Sequence, residues 1–151
     1  YSSIKKVNKK VVFGISPEGT LSNLYSDRYM YRDVKLWMSS KKYIDYICPQ
    51  LYWSFKQPNA PFDTVLNQWN ECPRSDSVRL YVGMAAYRAG ISKKEAKALN
   101  DISWSKSDTI LKRQLLYLRE KSTATGFILY RYDYLFAPQT QTEMQHLLSK
   151  F

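Results

Sequence analysis

The sequence predicts an α/β fold in which four parallel strands alternate with helices. Three observations predict it. Four segments are close to continuously apolar, as expected of strands covered on both faces. Helical stripes separate them, so the order reads β-α-β-α-β-α-β-α, and such alternation means βαβ crossovers and a parallel sheet. The longest irregular stretches, residues 17–27, 54–60 and 87–104, each follow a strand, where α/β folds gather their binding loops.

Taken in order, residues 2–10 suit the tail of a helix, and residues 10–16 ("KVVFGIS") form the first strand. Met30, Val34, Trp37 and Met38 share one helical face, which places Trp37 in the core. Residues 46–53 ("YICPQLYW") are rich in β-favouring types and form the second strand. Phe62, Val65, Leu66 and Trp69 recur at helical spacing, with Pro61 suited to the first turn. The third strand is residues 79–85 ("RLYVGMA"). Ser105-Lys106-Ser107-Asp108 resembles a capped helix start, followed by the stripe Ile110, Leu111, Leu115 and Leu118. The fourth strand is residues 126–132 ("GFILYRY"), and Met144, Leu147, Leu148 and Phe151 make the last stripe, flanked by His146.

With 151 residues and 44% hydrophobic types, the chain is long and apolar enough for one domain with a proper core, residues 1–151. No apolar run reaches the roughly 18 residues of a membrane helix. The first residue is Tyr1 rather than Met, as expected of a processed or cut end. A formal net charge of +10 favours anionic partners, although the lysines are scattered as on a solvated surface. Cys48 and Cys72 form no C-x-x-C, and the single histidine, His146, leaves no metal-ligand spacing. Cys48 falls inside the second strand, the place of a buried free thiol. No G-x-G-x-x-G or phosphate-loop pattern follows a strand. No cofactor and no metal are therefore expected.

"FGISPEG", "YIDYICPQLYW", "LYVGMAAYR" and "GFILYRYDYLF" occur in this order. With these motifs the sequence resembles the glycoside-hydrolase-like family GHL10 of bacterial envelope and secreted proteins. Asp33 and Trp37 match a D-x-x-x-W helix; Asp45-Tyr46 and Pro49-Gln50-Leu51-Tyr52-Trp53 match its DY-x-x-PQ-x-YW strand. Leu80-Tyr81, Gly83, Ala85 and Tyr87 match its LY-x-G-x-A-x-Y strand. The resemblance implies a half TIM barrel: four parallel βα units corresponding to strands five to eight, the C-terminal half of a (β/α)8 barrel. It also implies a carbohydrate substrate and an envelope or secreted location. A whole barrel takes about 250 residues. The family's Asp-Asp-Tyr motif after the fourth strand belongs to the half not present. Glu18 and the "YRYD" of the last strand depart from the family pattern.

Glycosidases mostly use two carboxyl groups about 5 to 9.5 Å apart. The candidates at strand C-terminal ends are Glu18 and Asp133, with Asp27 in the first long loop as a substrate contact or a helix cap. Gln50 and Tyr52 share a strand parity and face one way, so an amide and a phenol can meet sugar hydroxyls at the barrel mouth. Trp53 offers a plane for a sugar's C–H face, and Tyr87 and Tyr130 line the same mouth. Half a barrel also leaves two unpaired edges, so the expected partners are the missing N-terminal half-barrel or a second copy. Three functions compete. One is a glycoside hydrolase acting on cell-wall or complex polysaccharide, inactive as this fragment alone. The second is a non-catalytic carbohydrate-binding barrel. The third is a basic nucleic-acid-binding domain, which rests on charge and aromatics alone.

Overall fold

A computed structural model describes residues 1–24 and 32–151. The sheet has four strands in the order β1 (Gly14–Ile15), β2 (Tyr46–Ile47), β3 (Arg79–Ala85) and β4 (Gly126–Tyr130), every neighbouring pair parallel. Sequential parallel order with a helical crossover after each of the first three strands is the arrangement of half a TIM barrel. The helices are α1 (Ser2–Val7), α2 (Leu21–Leu24), α3 (Val34–Ser39), α4 (Phe62–Glu71), α5 (Lys93–Ala98), α6 (Ile110–Lys121) and α7 (Gln141–Leu148).

The first two strands are shorter than the expected 10–16 and 46–53: residues 10–13 lie outside the ladder, and proline ends both strands early. Pro17 and Pro49 carry no N–H, so the regular ladder lapses at both. The register nevertheless runs on. Cys48 N–H donates to Ile15, Gln50 N–H to Pro17, Gly83 N–H to Pro49 and Leu51 N–H to Gly83, all at 2.8–3.0 Å. Isolated bridges join Glu18 to Gln50 and Gln50 to Gly83. The fourth strand ends at Tyr130, two residues earlier than expected, where a 3-10 turn takes residues Tyr132–Leu135.

One continuous register sorts the side chains into two faces. Ile47, Leu51, Leu80, Val82 and Met84 point outward and are fully buried beneath the helices. α4 covers them with Phe62, Val65, Leu66 and Trp69, the stripe expected from sequence, and the Trp69 indole N–H donates to the Gly19 carbonyl at 2.6 Å. α6 and α7 pack together, burying Ile110, Leu111, Leu115, Leu118, Met144 and Leu147.

Four helical expectations need correction. α6 starts at Ile110, and Thr109 makes no side-chain cap; the residues read as its start lie ahead of it. The cap comes from α7 instead: the buried Glu143 carboxylate accepts the Leu111 N–H at 2.6 Å. Residues 87–104 are not one loop, because Ser92 and Glu95 form a capping box that opens α5. In α7 the buried side is Glu143, Met144 and Leu147, which leaves Leu148 66% and Phe151 74% exposed. Trp37 packs against the core from its edge, half-buried, and also lines a surface hollow, while Val34 and Met38 are the buried residues of α3. Met30 lies outside the described residues.

At the N-terminal end of the sheet, Asp45 ties α1 and β1 to β2. Its carboxylate accepts from the Tyr1 hydroxyl at 2.7 Å, the Lys5 ammonium at 2.7 Å and the Phe13 N–H at 2.8 Å. Burial pushes its pKa up, but these three donors outweigh it and hold the carboxyl down at about 2.

Candidate functional site

The inner face of the sheet is the concave one, and its residues stack in layers set by the register. Tyr46 and Tyr81 meet edge to face at 5.5 Å near the N-terminal end. Towards the C-terminal end the next layers hold Glu18, Gln50, Gly83 and Ile128, then Tyr52, Ala85 and Tyr130. Four of the residues expected to form a site, Glu18, Gln50, Tyr52 and Tyr130, therefore arrive on one surface, at the strand ends where the βα loops begin.

Two hollows share this surface, with Gln50 in the wall between them. The first, about 410 Å3, is lined by Glu18, Arg32, Trp37, Ser16 and Gln50 among others. The Glu18 carboxylate accepts from the Asn23 amide at 2.6 Å and lies 3.8 Å from the Arg32 guanidinium. The second, also about 410 Å3, is lined by Gln50, Tyr52, Tyr130, Ile128, Cys48 and Gly83. Gln50 donates its amide N–H to the Ser16 carbonyl at 3.0 Å, so its orientation is held from the neighbouring strand.

Glycines make room for this arrangement. A Cβ on Gly83 would stand 3.1 Å from the Pro49 carbonyl and 3.5 Å from the Tyr52 ring. A Cβ on Gly19 would collide with the Gln50 carbonyl, so the loop carrying Glu18 lies against β2 only with glycine there.

The phenols form a connected group. Tyr52 stacks on Tyr130 at 5.7 Å and meets Tyr87 edge-on at 5.7 Å; Tyr87 in turn meets Tyr130 at 5.9 Å and Tyr134 at 6.2 Å. Burial, and then the neighbouring Tyr87, push the Tyr52 pKa up to about 12, so Tyr52 keeps its proton and offers an O–H donor at any ordinary pH. Burial likewise pushes Cys48 up to about 11, which keeps it a thiol and a poor nucleophile.

The remaining expected residues lie elsewhere. Asp133 sits on the turn after β4, exposed and paired with Arg131 at 3.0 Å, and neither hollow includes it. Trp53 has the opposite parity to Tyr52: its ring packs over Gly19 and its carbonyl accepts from Gln114 at 2.8 Å. Asp27 lies outside the described residues. Among the described residues no three His, Cys, Asp or Glu side chains converge as a metal site would require.

Three further side chains, one of them in the lining of a hollow, carry little signal in the sequence. Arg88, next to Tyr87, donates to the Tyr87 hydroxyl at 3.1 Å, and a second guanidinium nitrogen is buried without a protein partner among the described residues. Arg32 stands beside Glu18. Asp101 is 1% exposed and braces the loops after β2 and β3: it accepts from Ser54 N–H at 2.7 Å, Ser54 Oγ–H at 2.5 Å and the Trp104 indole at 3.0 Å. Their only sequence signal was a position after a strand, which many surface residues share.

Comparison with known proteins gives a consistent result. The family model described as glycosyl hydrolase-like 10 matches residues 1–101. The protein named glycosyl hydrolase DigH of Escherichia coli K12 is 31% identical over 161 residues, covering 99% of this chain and 36% of the relative. The protein named glycosyl hydrolase YngK of Bacillus subtilis 168 is 34% identical over 99 residues, covering 57% of this chain and 19% of the relative. The chain thus spans about a third of the length of the Escherichia coli relative. No solved structure matches.

Proposed function

Since the chain belongs to the glycosyl hydrolase-like 10 family, we propose that it supplies the C-terminal half, strands five to eight, of a (β/α)8 barrel that hydrolyses glycosidic bonds in a cell-wall or complex polysaccharide. The observation that carries this reading is the layer Glu18–Gln50–Gly83–Ile128 with Tyr52 and Tyr130 above it. It is a carboxylate, an amide and aromatic faces around hollows at the strand C-terminal ends.

In this reading Gln50 and the Tyr52 hydroxyl bind sugar hydroxyls, and Tyr130 and Tyr87 give the sugar's C–H face an apolar surface. Glu18 is one of the two carboxyl groups such hydrolysis uses. Asp133 remains the second candidate from this chain only if the turn after β4 swings inward. Otherwise the second acid comes from the rest of the barrel, and the fragment alone is inactive. Asp27 and Trp53 are then secondary contacts along the rim. The remaining polypeptide closes the barrel against the free edges of β1 and β4; pairing of two copies about a twofold axis covers the same edges. The location that goes with this reading is the bacterial envelope or the exterior. Among the described residues no helix is long and apolar enough to cross a membrane.

One observation favours a second reading. Glu18 is the sole carboxylate lining either hollow among the described residues, as expected of a barrel that binds carbohydrate without cleaving it. Release of reducing ends from cell-wall polysaccharide by the full-length protein separates the two. A Glu18→Gln variant should lose activity by about 100-fold or more, the scale of a lost general acid or base, and Gln50→Ala should raise KM. Full activity in Glu18→Gln removes that residue from the chemistry, and binding without any release identifies the second reading.

A further inference from the structure

A third hollow, about 250 Å3, opens at the same end of the sheet, between the loops that follow β2 and β3. Its charged lining is of one sign: Lys56, Lys106 and Arg113, with no carboxylate among the lining residues. None of the three is in an ion pair with a described residue. Three exposed like charges around one concavity repel one another, and no carboxylate in the lining pairs with them.

The surroundings are organised for a ligand that does. The Arg113 guanidinium lies 5.0 Å over the Phe55 ring. A stacked guanidinium keeps its planar fork of N–H donors available to a carboxylate or phosphate. Ser103 and Ser107 add short polar groups to the lining. The buried Asp101 braces both contributing loops through Ser54 and Trp104, so the hollow rests on a fixed frame. The amides at the start of α6 are not the attraction, because Glu143 already accepts from Leu111. Asp108, in the neighbouring hollow that Lys106 also lines, faces His146 at 3.6 Å.

Lys56 follows Tyr52 by four residues, at most about 14 Å of extended chain. A polysaccharide lying over Gln50 and Tyr52 reaches Lys56 within a few sugar units. The geometry points to an acidic polysaccharide as the ligand, whose carboxylate or phosphate groups enter the hollow formed by Lys56, Lys106 and Arg113 while its sugar rings occupy the inner face. This rests on the glycan-handling reading above. The formal net charge of +10 acts in the same direction by attracting polyanions from a distance.

The test measures binding of the full-length protein to bacterial cell-wall polysaccharide in three forms. One is native, one has its carboxyl groups reduced to alcohols, and one is stripped of phosphodiesters with hydrofluoric acid. The treatment that removes the recognised group should weaken binding by about tenfold or more, the scale of a charge-assisted hydrogen bond or two. A Lys56→Ala, Lys106→Ala, Arg113→Ala triple variant, checked for native circular dichroism, should bind all three forms equally, at the weaker level. Arg113→Lys, which keeps the charge but not the fork, should lose part of the preference. Equal binding of all three forms by the wild-type protein overturns the inference and leaves the glycan reading standing. So does a triple variant that keeps the preference. Absence of binding to any form overturns both. If single-stranded DNA displaces the glycan equally from wild type and variant, bulk charge explains the binding and the inference fails.

Discussion

On the helix-covered face of the sheet, Leu80, Val82 and Met84 have no solvent exposure, whereas on the inner face of the neighbouring strand Ile128 and Tyr130 are 45% and 48% exposed. Residue type does not separate them, since Ile128 is as apolar as Val82. What separates them is the layer opposite. The stripes of α4 and α6 join the first face in one buried core, and Ile128 and Tyr130 lie outside that core. The sheet therefore carries apolar side chains for two covers, and this chain supplies one. A parallel sheet is stable with both faces shielded, so the open face is where a partner, a ligand or both must add their contribution.

Four substitutions break or sharpen this contrast. The largest effect belongs to the covered face. Trp69→Ala removes a 1% exposed indole and its bond to Gly19, and should cost about 3–5 kcal/mol in chemical unfolding. A smaller cost would mean that α4 is a loose cover. Next is the brace between the loops: Asp101→Ala leaves Ser54 N–H and the Trp104 indole buried without an acceptor, an expected loss of about 2–3 kcal/mol. Third is Asp45. Its folded pKa is depressed to about 2, so its stabilisation is present above the unfolded value of about 3.9 and is lost as pH falls through the folded one. The melting temperature of wild type should exceed that of Asp45→Asn at pH 5, and the gap should narrow by pH 2. An unchanged gap would sever the link between that carboxylate and α1. The smallest effect belongs to the open face: Ile128→Ser should change the stability of this chain by no more than about 0.5 kcal/mol. In the full-length protein the same change should cost more, and equal effects in both would show that face uncovered in each.

Much of the fold was legible because the covered face writes its signal twice. The stripe Phe62, Val65, Leu66 and Trp69 on α4 and the apolar run of β3 are two sides of one interface, and the sequence pattern marks the residues of both. The ends of elements were less legible. Pro17 and Pro49 shorten the regular ladders without breaking the register, so strand length and strand continuity part company. The start of α6 escapes a local reading because its cap is not local: Glu143 lies 32 residues from the amide it satisfies. In the candidate site, the shared parity of Gln50 and Tyr52 was a local property, and the structure lines one hollow with both. Asp101 stays hidden because what marks it is a buried bond to Ser54, 47 residues away, and Arg88 because what marks it is a guanidinium nitrogen buried by the fold; neighbouring residues in sequence encode neither.

That borrowed carboxylate has a consequence for how the molecule comes into being. A chain made from its N-terminus delivers α6 to solution before the helix that completes it. Until Glu143 has followed, the first turn of α6 has only water to satisfy its amides, and the α6–α7 contact does not exist. The first turn of α6 is therefore complete only once α7 has docked, however early the strands before them have found their neighbours.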